Sequence, residues 1–509
     1  MERNEDMLFT VKQELLNPVQ VPSLAAFPLS KIDTWRTPPL NPSYSYSLGL
    51  QRSLSGKQLL LTQTPYPLSL IHEHYLNGYI SYQKALTQKE NGYKCNRCGS
   101  DSPFYFASFP CSRCHQECYY CRACIVMGKV SECTPFINWE GPASNVLPKS
   151  SVMNWKGTLS KAQERASNEL IQAIKKDEEL LIWAVCGAGK TEILFKGIES
   201  ALNSGKKVCI ATPRTDVVIE LKPRIQSAFP DMSVLAMYGG SEDRFHESSL
   251  IISTTHQLLH YYQAFDVLII DEVDAFPYST EPMLHYAVAK AAKHAASKIY
   301  LTATPSESLK KEVEQGKKQV VKIPARYHRM LIPVPRFEWC GNWKKKMKTD
   351  TLPANVEKWL KKRIEEGKQC FIFVPQIKWI APITDMIRKL TEKVDGVHAE
   401  DSQRKEKVMK FREGQLVILV TTTILERGVT VPNIDVAVLG AEETIFTESA
   451  LVQISGRVGR SAQFPTGDVV FFHYGQSLSM RKAKEHIEYM NALAYKEGLI
   501  VNDNMSDLF

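Results

Sequence analysis

Long apolar runs are missing from these 509 residues. No stretch approaches the roughly 18–20 apolar residues that a membrane-crossing helix needs. The opening MERNEDMLFTVKQELLNP carries acidic residues and lacks the basic-then-apolar layout of a secretory signal. The expected location is therefore the cytoplasm, which is compatible with peripheral docking at a membrane. No repeat of the solenoid kind occurs. Neither sign of charge dominates: 63 Lys and Arg against 55 Asp and Glu leave +8, which permits a polyanionic partner without requiring one. With 44% hydrophobic and 23% charged residues, the chain is close to the globular average, which argues against a disordered, collagen-like or coiled-coil protein. At roughly 150 residues per domain, its length suggests about three or four domains.

What is present is unevenly distributed. Of 12 cysteines, eight fall between Cys95 and Cys133, while Cys186, Cys209, Cys340 and Cys370 occur singly, as buried thiols usually do. In a reducing compartment such a cluster reads as a metal site rather than a disulfide framework. Its spacing is Cys95-x2-Cys98, then Cys111-x2-Cys114, then Cys118-x2-Cys121-x2-Cys124 and Cys133. Each CxxC turn presents two thiolates to one side of a tetrahedron, and eight thiolates could satisfy two zinc ions in closed, structural sites. Gly99 suits the tight turn after the first pair, and His115 is a possible substitute ligand. Arg97, Arg113, Arg122 and Lys129 interleave with Tyr93, Phe104, Tyr105, Tyr119 and Tyr120. That mixture suits stacking and backbone contacts with single-stranded DNA. The same aromatics could equally form a small core around the metal. Against Asp101, Glu117 and Glu132 the net charge there is only slightly positive, so partner docking is an equal alternative.

Residues 1 to about 75 are rich in Pro, Ser and Tyr and poor in hydrophobic periodicity, which predicts a loosely ordered segment; a short helix is expected over 76–90. After the cysteines comes a proline-containing connector, ECTPFINWEGPASNVLPKS. From about residue 155 short β-branched runs alternate with amphipathic stretches: ELLIWAV, KKVCIAT, SLIISTT, FDVLIID, SKIYLTAT. That is the pattern of a buried parallel sheet flanked by helices. A second series, KQCFIFVP, QLVILVTT, IDVAVLG and GDVVFFH, follows a basic stretch containing prolines. The expected organisation is a poorly ordered segment (1–90), a cysteine-rich zinc module (91–134) and two α/β domains in tandem (135–325 and 326–509). The run Lys344–Lys346 with Lys348 reads as a solvated loop, with phosphate or anionic lipid as the alternative. A last helix, with Met480, Ile487, Met490 and Leu493 on one face, ends at Gly498.

Within the first α/β domain, Ala184, Val185, Cys186, Gly187, Ala188 and Gly189 form a glycine-rich loop between a strand and the helix opened by Lys190, Thr191 and Glu192. Small residues let backbone N–H groups wrap a phosphate, and the helix N-terminus adds positive potential. Lys190 would reach the β- and γ-phosphates of ATP, and Thr191 would hold Mg²⁺. Ala184 stands where the general pattern has Gly, as in the AxxGxGKT variant used by many helicases. Asp271 and Glu272 end the apolar run FDVLIID, where ligands of open α/β sheets bind. Asp271 can hold the Mg²⁺ shell and Glu272 can polarise the attacking water.

This order of motifs resembles superfamily-two helicases, which implies two RecA-like domains. Gly157–Leu159 through Gln163 resembles the segment whose glutamine can contact adenine. Ala211–Arg214 and Ser253–His256 resemble backbone grips on nucleic acid, and Leu301–Pro305 resembles the motif coupling hydrolysis to that grip. Residues 422–429 (TTILERGV after Thr421) resemble a motif touching both strand and nucleotide. Gln453–Arg460 resembles the arginine-finger motif, which implies that Arg457 and Arg460 stabilise charge in the transition state. DEVDAFPY with PMLHYAV, TTTILERGVT, and a zinc module before the ATPase are together similar to the ComFA family of competence DNA-uptake ATPases. That resemblance implies ATP, Mg²⁺ and Zn²⁺ as cofactors and single-stranded DNA as partner. It also implies ComFC-like and DprA-like proteins, a membrane uptake channel at the inner face, and a possible homo-oligomer. Its four-cysteine pattern implies Cys95 and Cys98 with Cys121 and Cys124, leaving Cys111, Cys114, Cys118 and Cys133 for a second, interleaved site. The alternative functions are a replication-restart helicase of the PriA type and a zinc-dependent DNA-binding scaffold without catalysis.

Overall fold

The computed structural model describes residues 8–19, 26–112, 114–143, 153–423 and 431–501. Arg113 and most of the 422–429 motif lie outside the described residues. Contacts divide the chain into two units. One comprises Met1–Trp155, Ala173–Glu179 and Ile198–Ile299; the other comprises Lys156–Gln172, Leu180–Gly197 and Tyr300–Phe509.

Over its described residues, the segment expected to be poorly ordered is folded. Helices Leu48–Leu54 and Leu68–Leu76 accompany a three-stranded antiparallel sheet in which Phe136–Trp139 lies between Gln58–Leu60 and Ile80–Gln83. Its apolar residues lack periodicity because they meet over long sequence distances. Phe9 packs edge-on to Tyr82 at 5.1 Å, and the Tyr75 hydroxyl accepts from the Leu16 N–H and donates to the Arg36 carbonyl. The connector after the cysteines thus supplies the central strand of this sheet. The helix expected over 76–90 is also corrected. The helix ends at Leu76, Gly78 turns the chain at φ +78, and strands Ile80–Gln83 and Leu86–Lys89 follow. Only glycine fits there, since a Cβ would stand 2.5 Å from the Pro39 carbonyl oxygen.

The expected apolar runs become strands of two parallel sheets, the RecA-like domains. The first has seven strands in the order Val234–Met237, Leu250–Thr254, Val208–Thr212, Phe265–Asp271, Ala292–Thr302, Leu180–Ala184, Gln319–Ile323. The second has six, in the order Arg336–Trp339, Val469–His473, Asp435–Leu439, Cys370–Phe373, Ile418–Thr421, Val394–Val397. Central strands are buried along their whole length, as continuous apolar runs require. The lysine run lies on a short helix, Trp343–Lys348, rather than a loop. Trp343 and Met347 face the core and Lys344 pairs with Glu443. Among the described residues no helix is long and apolar enough to cross a membrane.

In the second domain a buried ion-pair network ties a helix to the sheet. The Arg363 guanidinium donates to Asp435 at 3.0 Å and to Asp468, while Lys368 also pairs with Asp435 and the Trp359 indole donates to Asp468. Burial alone would raise the Asp468 carboxyl, but Arg336, Trp359 and Arg363 outweigh it and hold the group below its ordinary value. A depressed folded value stabilises above the unfolded value of about 3.9 and is lost as pH falls through the folded one. Arg363→Ala, which leaves two carboxylates without their shared partner, is expected to cost about 3–5 kcal/mol in denaturant unfolding at neutral pH. The deficit should shrink in acid below about pH 4.

Candidate active site and metal centres

The glycine-rich loop expected to hold phosphate is shaped by two glycines in the left-handed region, Gly187 at φ +83 and Gly189 at φ +71. It connects strand Leu180–Ala184 to helix Lys190–Asn203, so Lys190 and Thr191 stand at the helix N-terminus, where anions are favoured. Neighbours hold the loop from outside. The Val185 N–H donates to the Ile323 carbonyl at 3.1 Å, and Tyr327 N–H donates to the Gly187 carbonyl at 3.0 Å. Gln163, which is 1% exposed, donates its side-chain amide to the Ala188 carbonyl at 2.8 Å and accepts from the Ser160 N–H. The glutamine expected at adenine therefore braces the loop itself. A Cβ on Gly189 would lie 2.5 Å from its amide nitrogen, which fixes glycine at that position.

The segment expected to carry the arginine finger, Gln453–Arg460, lies in the same unit as the loop. Cys186 donates its thiol to Gln453 Oε1 at 2.9 Å. A Cβ on Gly456 would come within 2.5 Å of Cys186, so the two segments approach at backbone distance. Arg457 is 1% exposed, its guanidinium 5.9 Å from the Phe371 ring, and Arg460 Nε donates back to the Gly456 carbonyl. Thr304 of the coupling motif donates to Ser449 at the start of helix Glu448–Ser455, and the Trp183 indole donates to the Ala303 carbonyl.

In the other unit, Asp271 ends strand Phe265–Asp271 and Oδ1 accepts from the Glu272 N–H. Glu272 sits at φ +57, a left-handed conformation unusual for a residue with a long side chain. Such strain clusters at functional sites. Thr212 and Thr254 end neighbouring parallel strands, which carry the two expected backbone grips out of the same sheet.

The eight clustered cysteines sort into two sets, Cys95, Cys98, Cys121 and Cys124, all buried, and Cys111, Cys114, Cys118 and Cys133, buried except for the half-buried Cys114. Within each set all four sulfurs lie within 4.8 Å of one another. A tetrahedral thiolate site with bonds of about 2.3 Å has edges of about 3.8 Å. The first set shows 3.8 Å for Cys95–Cys124 and 3.7 Å for Cys98–Cys121; the second shows 3.8 Å for Cys111–Cys133 and 3.3 Å for Cys114–Cys118. Both sets therefore fit a tetrahedral metal ion, and His115 belongs to neither. Hydrogen bonds among the thiols divide their acidities: Cys98 and Cys124 are pulled down by Cys121, and Cys118 is pulled to about 6 by Cys133.

Gly99 has the expected turn conformation, φ +76, and a Cβ there would strike the Tyr286 ring at 2.6 Å. Arg97 departs from its expected DNA-facing role. It is fully buried and donates to the carbonyls of Met127, Cys124 and Gly128, bracing the second CxxC turn. Sequence reasoning missed Tyr286 and Lys290 on helix Pro282–Ala291. Lys290 donates to the Leu259 carbonyl and Gln58, and burial, with Arg97 adding to it, draws its amine down to about 7. Phe104, Tyr105 and Tyr119 remain exposed, with Arg122 over the Phe104 ring, while Lys129 stacks on Phe109 at 3.2 Å.

Because the two sets share no ligand, purified protein should carry two metal ions per chain by elemental analysis. Cys98→Ser and Cys118→Ser should each lower the count by one, from different sets. A wild-type value near one would limit ligation to a single set.

Three sequence families match along the chain: Competence protein ComFA N-terminal domain over residues 43–138, Type III restriction enzyme, res subunit over 156–307, and Helicase conserved C-terminal domain over 351–462. Among solved structures, S. cerevisiae Dbp5 bound to RNA and ADP BeF3 superposes with a TM-score of 0.50 at 16% identity, covering 65% of this chain and 88% of that one, a likeness of fold. Competence protein ComFA of Bacillus subtilis (strain 168) is 50% identical over 459 residues, 90% of this chain and 98% of the relative. Competence protein ComFA of Streptococcus pneumoniae (strain ATCC BAA-255 / R6) is 40% identical over 73% of this chain and 86% of the relative. With these relatives, its N-terminal domain and its helicase-type ATPase domains, the chain belongs to the ComFA family.

Proposed function

We propose that this chain is an ATP-driven motor on single-stranded DNA that serves uptake of transforming DNA. The phosphate loop, held from outside at the N-terminus of a helix, carries the reading. Lys190 would bind the β- and γ-phosphates, and Thr191 with Asp271 would hold Mg²⁺, which neutralises phosphate charge when bound. Glu272 would orient and polarise the attacking water. Arg457 and Arg460 would stabilise the charge that develops as the γ-phosphate departs. Loss of that phosphate removes the anion around which the segments gather, and the grips at Ala211–Arg214 and Ser253–His256 would alternate on the strand. Zinc in the two thiolate sets would be structural, since four-sulfur sites leave no open position. The competence task is supported by the names of the two relatives; partners of the ComFC and DprA kind and work at the cytoplasmic face of a membrane channel are parts of the same proposal.

ATP hydrolysis with and without single-stranded DNA tests it. Wild-type turnover is expected to rise strongly with single strands. Lys190→Ala should lower it by about 10²-fold or more, the scale of removing one electrostatic contact from a transition state. Equal rates with and without DNA would remove the motor and leave a switch answering to another trigger.

A further inference from the structure

We infer that Arg326 is a positioning residue for hydrolysis, one that holds the turn bearing Arg457 and Arg460 in register with the phosphate loop. The inference rests on the ATPase reading above and adds to it a residue outside every motif.

Arg326 follows strand Gln319–Ile323 and is 1% exposed, among the largest fully buried side chains of the protein. Its guanidinium grips three carbonyls of one turn. Nη1 donates to Val458 at 2.8 Å and Gly459 at 2.6 Å, and Nη2 reaches Gly456 at 3.4 Å. These carbonyls bracket Arg457 and immediately precede Arg460, so the grip fixes where both arginines leave the backbone. The same turn follows helix Glu448–Ser455, and the negative end of a helix favours a cation. His328 adds a bond to the Gly459 carbonyl at 2.9 Å.

The opposite side of the residue faces the loop. Tyr327 N–H, the next backbone donor, bonds the Gly187 carbonyl. A Cβ on Gly187 would stand 3.6 Å from Arg326 Cγ and 3.9 Å from its Nε, so the stem lies along the loop. That Nε makes no hydrogen bond among the described residues. Arg460 lies close enough, after burial, to help draw the Arg326 guanidinium down to about 10. One short segment therefore touches the loop through its backbone and the finger turn through its side chain. A planar, forked guanidinium reaches these three carbonyls from two separate nitrogens, whereas the three donors of a lysine all radiate from one point.

The test compares wild type, Arg326→Ala and Arg326→Lys for DNA-stimulated kcat, affinity for a fluorescent ATP analogue, and thermal unfolding. Both variants are expected to lose roughly tenfold to a hundredfold in kcat, as displaced catalytic groups do. Analogue affinity should stay within about threefold, less than half a pK-scale step of binding energy. Millimolar guanidinium should restore part of the kcat of Arg326→Ala and nothing to Arg326→Lys. A kcat unchanged in both variants overturns the inference. So does a parallel loss of analogue binding, or failure of both variants to fold, since either outcome makes Arg326 a structural brace. Absence of hydrolysis by wild type would instead overturn the ATPase reading itself.

Discussion

A glycine-rich loop that is to keep N–H groups open for a phosphate has to be held in shape largely through its carbonyls. Here Gln163 takes the Ala188 carbonyl and Tyr327 takes that of Gly187. Both donors come from outside the loop, one from the helix before it and one from far along the chain. The second is delivered by sheet register. Strand Gln319–Ile323 pairs parallel with Leu180–Ala184, Ile323 opposite Ala184, so the residues after Ile323 emerge beside the loop that follows Ala184. An edge strand of ordinary composition is thus a precondition for the loop's geometry.

That edge strand marks the boundary of what the sequence could tell. Strands buried on both faces announce themselves as β-branched runs, and each such run proved to be a strand of the expected sheet. Gln319–Ile323, Arg336–Trp339 and Val394–Val397 did not, because short strands at a sheet edge mix polar and apolar residues, and Val234–Met237 is apolar but only four residues long with a single β-branched side chain. Val394–Val397 even contains Gly396, required because a Cβ would lie 2.4–2.9 Å from the side chains of Ile380 and Thr384. Arg326 was hidden for a related reason. It lies in a basic connector, and only the packing of Gly187 and the Gly456–Gly459 turn around it distinguishes it from a solvated arginine.

The N-terminal fold was misread by the same logic carried further. Proline and serine between its leucines and tyrosines look like loop chemistry. Its core forms from residues distant in sequence, such as Leu59 and Ile137 facing each other across two strands. Local pattern reports burial only when an element is long enough to repeat, and few of these elements exceed two turns or four strand residues. The cysteines were legible because thiolates at CxxC spacing have few other uses in a reducing compartment. Arg97 was not, since nothing in its neighbourhood distinguishes an arginine gripping carbonyls from one facing DNA.

The interleaving of the cysteine sets has a mechanical consequence. Cys118 and Cys121 lie on the single strand Glu117–Cys121 and differ by an odd number of residues, so they point to opposite faces. One strand therefore contributes a ligand to each set, and disorder at either set reaches the other through it. From the first set the path continues outward. The Cys98–Gly99 turn packs its backbone onto Tyr286, and Arg97 beside it donates to the Cys124 carbonyl of the set's other turn. Tyr286 belongs to helix Pro282–Ala291, which is reached from Asp271 and Glu272 by one short segment whose first turn is closed by the Ala275 N–H on the Glu272 carbonyl. Glu272 is held in a strained conformation, and strain persists only where the surroundings over-determine it. The first thiolate set therefore seats, through Tyr286, the helix that follows the Asp271–Glu272 segment in the chain.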